Sequence, residues 1–98
     1  MAGYRLKVSA LAEQDLRDVY VEGFEAWGEA QADRYYDDLI VHFERLCENP
    51  YLFMAVDDVR EGYRRSVCGK HAVYYRIGEQ TVEIMAVLKR QNPFTHLP

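Results

Sequence analysis

The sequence lacks most of the features that announce a chemistry. It holds 98 residues but only two cysteines, Cys47 and Cys68, so it has no disulfide framework, and two reduced thiols in the cytoplasm are expected. Three prolines and six glycines exclude a repeat or fibrous protein. No apolar run approaches the roughly 20 residues that a membrane-spanning helix needs. The opening MAGYRLKVSALAEQ has neither a continuous apolar stretch nor a small-residue cleavage site, so no signal peptide and no membrane partner are expected. The glycines stand singly, which excludes a phosphate-cradling loop. His42, His71 and His96 form no H-x-x-x-H pair and the cysteines no C-x-x-C pair, so no metal and no other cofactor is expected. Ser9 and Ser66 stand outside any nucleophile motif, and the neighbours Asp37-Asp38 and Asp57-Asp58 splay apart instead of converging. Cys68 and His71 flank one tight turn, which more simply marks a hairpin than an activated thiol.

What the chain does have is a divided charge. The formal net charge is −4, from 16 acids and 12 bases. Residues 9–49 carry eleven acids against Arg17, Arg34 and Arg45, while the remainder carries nine bases against five acids. An acidic chain cannot coat itself with nucleic acid, because such binding rests on neutralising phosphates. No direct nucleic-acid partner is therefore expected, and other partners should meet two unlike faces.

Periodicity divides the chain into a single domain, residues 1–98. Residues 4–8 alternate apolar and basic, a half-buried strand. Ser9 stands where a helix N-cap belongs, and Leu16, Val19, Gly23, Phe24 and Trp27 recur at helical spacing. Acids at Glu13, Asp15 and Asp18 suit the positive end of that helix. Gly28 interrupts, and a second helix carries Ala32, Tyr35, Tyr36, Leu39, Ile40, Phe43 and Leu46 until Asn49-Pro50 stops it. Residues 51–61 read as a loop with a turn of helix. Residues 63–68, 71–77 and 81–88 follow as three strands joined at Gly69-Lys70 and Gly78-Glu79-Gln80. The tail from Lys89 to Pro98 reads as irregular and dispensable for the core. The expected architecture is α+β in the order β-α-α-β-β-β, an N-terminal helical hairpin packed on a small antiparallel sheet.

Two features remain to be placed. Arg64, Arg65, Arg76, Lys89 and Arg90 fall on or after the C-terminal strands and could converge at one edge of the sheet. Such a patch suits Arg-anchored docking of an acidic partner, metal-free RNA cleavage, or simply the solvated side of strands. Eight tyrosines in so small a domain suggest ring edges around the core and an exposed apolar groove that a partner fills.

Several blocks occur in a telling order: Glu13-x-Asp15-Leu16-x-Asp18-Val19, Trp27-Gly28-x-x-Gln31-Ala32-x-Arg34-Tyr35, Phe43-x-x-Leu46-x-x-Asn49-Pro50, Asp58-Val59-Arg60-x-Gly62-Tyr63-Arg64-Arg65, Tyr74-Tyr75-Arg76-Ile77 and Val82-Glu83-Ile84-x-x-Val87-Leu88. Over about nine-tenths of its length the chain resembles the ParE branch of the RelE/ParE toxins, the toxin half of bacterial ParD–ParE pairs. The resemblance implies the same helical hairpin on a sheet. It implies a cytoplasmic growth inhibitor that binds and poisons DNA gyrase without catalysis of its own. It also implies a ParD-like antitoxin whose C-terminal segment wraps the toxin in a hetero-oligomer. On that reading, acidic antitoxin residues meet Arg64, Arg65 and Arg76, apolar anchors sit among Val19, Phe24, Leu39 and Phe43, and Lys89, Arg90 and His96 face the target. The alternative is a RelE-like ribosome-dependent mRNA endoribonuclease, with Arg65, Arg76, Lys89 and His96 as its candidate groups. The resemblance also locates a departure: many ParE-like toxins carry His-Gln after the last strand, where this chain has Lys89-Arg90.

Overall fold

The structure, a computed structural model, describes residues 3–97. Strand β1 (Arg5–Val8) leads into helix α1 (Ala10–Trp27), followed by α2 (Glu29–Glu48) and a 3₁₀ turn at Pro50–Leu52. Strands β2 (Met54–Ala55), β3 (Tyr63–Cys68), β4 (His71–Gly78) and β5 (Thr81–Leu88) precede a final short helix, α3 (Pro93–His96). No helix of the described residues is long and apolar enough to cross a membrane.

Local chemistry explains the helix limits. The Ser9 side chain accepts from the amide of Ala12 at 3.1 Å, satisfying one of the free donors at the start of α1. Gly28 separates the two helices alone; its φ of 91° is open to glycine and strained for other residues, and it lets α2 start one residue after α1 ends. Asn49 and Pro50 end α2, since Pro50 has no amide to continue the ladder.

The sheet order is β1-β5-β4-β3-β2. The β2–β3–β4–β5 part is antiparallel, as the hairpin turns require, but β1 joins β5 in parallel. The helical hairpin carries the chain away from β1, and the strand that returns beside it runs in the same direction. Alternation alone also misses β2, whose two residues are too few to show a period.

The helices cover one face, where Leu16, Val19, Leu39, Phe43 and Leu46 meet Val73, Tyr75, Val82, Ile84 and Val87. The opposite face holds a second core of Val56, Tyr63, Tyr74, Met85, Ala86, Leu88 and Leu97. A register break opposite Tyr74 and Tyr75 leaves Met85 unmatched, so that Ile84 and Val87 both face the helices while Ala86 and Leu88 face away. Leu97, 4% exposed, belongs to that second core. The tail is therefore part of the fold, contrary to the sequence expectation, because Leu97 reaches back to the sheet face opposite the helices and His96 reaches Asp15.

Candidate functional site: a groove and an open sheet face

At the tip of the helical hairpin lies an open groove of about 810 Å³. Its helical wall comes from α1 residues Val19, Glu22, Gly23, Ala26 and Trp27, which fall on one side of that helix by their three- and four-residue spacing. Ala32, Tyr35 and Asp38 supply the α2 wall, and Lys70, His71 and Lys89 close it from the sheet. Tyr35 fixes the closed end. Its hydroxyl lies 2.6 Å from His71 Nδ1 and 3.2 Å from the carbonyl of Cys68, and accepts from the amide of Lys70 at 3.0 Å. Gly69, at φ 59°, is required there, since a Cβ would lie 2.7 Å from the Tyr35 ring. These contacts bind α2 to the β3–β4 turn.

The Cys68–His71 pair is not an activated thiol. His71 Nδ1 is engaged by Tyr35, and burial, with Asp38 nearby, pushes the Cys68 thiol up and keeps it protonated at neutral pH. His71 is only 8% exposed; burial lowers its pKa, helped by Lys89 and opposed by Glu22 and Asp15. His42, bound to the Ser66 hydroxyl at 2.7 Å, is lowered by burial and then by Arg45. Both histidines are held neutral in the fold and regain their ordinary basicity when it opens. Stability is then complete above about pH 6.5, the ordinary histidine value, and is lost as the pH falls below it. The thermal midpoint should be lower at pH 5.5 than at pH 7.5, and the difference should shrink in a His42→Gln/His71→Gln variant.

The residues singled out from the sequence are scattered. Leu39 and Phe43 are completely buried in the first core, and Val19 exposes only the edge that lines the groove, so Leu39 and Phe43 offer a partner no surface. The apolar stripe that suggested anchors is the face the sheet has already covered. Phe24 is exposed but stands outside the groove, against Tyr20. Arg64 is committed to the carbonyls of Phe53 (2.6 Å) and Tyr51 (3.4 Å) and lies over the Tyr51 ring, so it holds the segment after α2 in place. Arg76 is paired with Glu83 at 2.9 Å.

Arg65 is different. It pairs in register with Tyr74 and so faces away from the helices, as do Arg76, which is in register with Tyr63, and Lys7, in register with Glu83. Beside the second core, this face carries the cations Lys7, Arg65 and Arg76 with one acid, Glu83. The outer edge of β3 is also partly uncovered: β2 pairs only with Arg64 and Arg65, so residues 66–68, paired with β4 on one side, have no strand on the other, and Leu52, Met54 and Val67 are exposed. Lys89 stands at the groove and Arg90 on the exposed turn after β5, whereas His96 is half-buried against Asp15 at 3.3 Å. The sequence reading missed Glu22, Lys70 and the Tyr35–His71 pair. Their signal was present only as spacing along α1 and as a turn of unknown neighbours.

The same fold occurs in chains of known toxin–antitoxin systems. A chain of the chromosomal ParDE system from P. aeruginosa superposes with a TM-score of 0.78 over 90% of this chain and 97% of its own, at 16% identity. A chain of the Mycobacterium tuberculosis toxin–antitoxin complex RelBE2 gives a TM-score of 0.67 over 94% and 97%, at 19% identity. Sequence narrows the class. The family profile described as the ParE toxin of the type II toxin–antitoxin system parDE matches residues 6–94. Toxin ParE1 of Caulobacter vibrioides is 38% identical over 98 residues, covering 99% of both chains, and Toxin ParE1 of M. tuberculosis is 32% identical over 88 residues, 89% of this chain and 90% of its own. The chain belongs to the ParE toxin family of type II toxin–antitoxin systems.

Proposed function

We propose that this ParE-type toxin acts in the cytoplasm by binding DNA gyrase and poisoning it, and that a ParD-like antitoxin encoded beside it neutralises it by wrapping its surface. Family membership supports the reading, because the ParE branch carries that implication. The observation that carries it over its rival is the state of the groups a RelE-like ribonuclease would need. Arg76 is paired with Glu83 at the surface and His96 lies 3.3 Å from the buried Asp15, so two of the four already have partners within the fold. Surfaces for docking are present instead: the groove, the sheet face with Arg65, and the partly uncovered edge of β3. An extended antitoxin segment gains main-chain hydrogen bonds along that edge, and its acidic residues meet Arg65.

The test is induced expression in a bacterium without the antitoxin, following a DNA-damage reporter and amino-acid incorporation together. Damage signalling should rise before translation falls. Translation arrest first, with no damage signal, would replace this reading with the ribonuclease.

A further inference from the structure

The end of β3 is steadied from behind. Ser66, Val67 and Cys68 pair with Val73, Ala72 and His71 of β4 and, among the described residues, have no strand on their other side. An edge of this kind is a weak point of a sheet unless something else orders it. Here α2 grips it from the helix face, on which Ser66 lies with its register partner Val73. Ser66 Oγ is 2.7 Å from His42 Nε2. The Tyr35 hydroxyl holds the turn that follows: it donates to the Cys68 carbonyl at 3.2 Å, accepts from the Lys70 amide at 3.0 Å and lies 2.6 Å from His71 Nδ1. Its single proton serves this whole set when His71 donates through Nδ1.

The two grips match the strand in length. Tyr35 and His42 stand two turns apart on α2, about 10 Å at 1.5 Å per residue. The three steps from Ser66 to Gly69 cover about the same distance at 3.4 Å each. The fit is also close: Ser66 is 3% exposed, and a Cβ at Gly69 would lie 2.7 Å from the Tyr35 ring. What the clamp leaves uncovered is the outer side of Val67. The Tyr63 carbonyl accepts from the Val56 amide at 2.8 Å on the β2 side, and strand alternation turns the amide and carbonyl of Arg65, then of Val67, the same way. Met54 stands opposite Arg65, but no strand among the described residues stands opposite Val67. The slot therefore offers one donor and one acceptor, and the end of β2 bounds it.

We propose that Tyr35 and His42 are positioning residues: from α2 they hold residues 66–71 in strand geometry, so that an extended antitoxin segment adds at Val67 without first having to order the edge. The inference rests on the antitoxin reading above and deepens it, because it assigns the pre-ordering of the edge to side chains on the opposite side of the strand's helix-facing surface. The clamp adds no bond to the incoming segment. It removes the conformational entropy that ordering the edge would otherwise charge against binding. The segment that fits is short and extended, with an acceptor and a donor for Val67 and apolar side chains that suit exposed Leu52, Met54 and Val67.

The test is a double-mutant cycle on the purified toxin, with calorimetry reading its affinity for the antitoxin encoded beside its gene. The four proteins are wild type, Tyr35→Phe/Ser66→Ala, Val67→Pro, and all three substitutions together. The first variant deletes the Tyr35 hydroxyl and the hydroxyl that His42 holds. Val67→Pro removes the one outward amide, at an edge position where a strand tolerates proline. Val67→Pro should weaken binding about tenfold and the clamp variant about three- to tenfold. In the free clamp variant, amide exchange should quicken at residues 66–71 and stay unchanged at residues 82–84 of β5. Once Val67→Pro is present, the clamp deletions should weaken binding by less than about twofold more, since both act through one slot. Losses that multiply independently, an unchanged affinity in the clamp variant, or exchange that quickens throughout the sheet each overturn the positioning role. If the clamp variant fails to fold, Ser66→Ala alone takes its place in the cycle. Val67→Pro that binds like wild type overturns the strand slot, and absence of any binding to wild-type toxin overturns the antitoxin reading itself.

Discussion

Replacing Asp15 by alanine is expected to destabilise the protein by about 2–4 kcal/mol, because one carboxylate satisfies two elements at once. Asp15 is 5% exposed; Oδ2 accepts from the buried amide of Val87 at 2.9 Å, and Oδ1 lies 3.3 Å from His96 Nε2. The need arises from topology. Strand β1 covers β5 only as far as Ile84, so the rest of that edge has no strand beside it. Helix α1 completes the edge with side chains: the Ser9 hydroxyl donates to the carbonyl of Met85 at 3.2 Å, and Asp15 accepts from Val87. Alanine at 15 leaves a buried N–H without a partner and removes one of the contacts that hold the tail. Urea unfolding measures the loss, and amide exchange at Val87 should accelerate with it. Asparagine, which keeps an acceptor, should recover part of the stability. A cost below 1 kcal/mol in the alanine variant would mean that water replaces the carboxylate.

Ending the chain at Gln91 should be the more damaging change. It uncovers the second core by removing Leu97, and with it the bond from Arg60 Nη2 to the Leu97 carbonyl at 2.7 Å and the Asp15–His96 contact. Loss of one buried leucine typically costs 2–5 kcal/mol, out of roughly 5–15 kcal/mol for a domain of this size. A fall of more than 10 °C in melting temperature is expected by thermal denaturation. Any loss of toxicity in that truncation then reports unfolding and not a lost target contact. Lys89→Ala/Arg90→Ala separates the two, since both side chains are exposed and their removal should leave the melting temperature nearly unchanged. Reduced growth inhibition at an unchanged melting temperature would place these cations at the target.

Much of this protein is local and was readable as such. The cap at Ser9, the break at Gly28, the stop at Asn49-Pro50 and the two tight turns each depend on a few neighbouring residues, and the apolar periods of 2 and 3.6 follow from backbone geometry. Family membership was equally legible, since ordered sequence blocks do not require coordinates. The sites were not. Periodicity finds an apolar stripe, but it cannot distinguish a stripe covered by the protein's own sheet from one left for a partner. Leu39 and Phe43 were therefore read as anchors and are core. Basic residues on strands look alike until their neighbours are known: Arg64 holds carbonyls, Arg76 holds Glu83, and Arg65 is left facing outward.

By itself the sequence determined the elements, their order, the helical hairpin and the divided charge, because each rests on contacts within a few residues or on composition. The tertiary structure alone decided that β1 runs parallel to β5, that one unmatched residue at Met85 turns the end of β5 around, and that residue 97 closes a second core. It also decided that Asp15, which reads as a helix-dipole acid, completes a strand edge instead. Those outcomes join residues as many as 81 positions apart, and no local pattern encodes which distant backbone group will arrive unsatisfied.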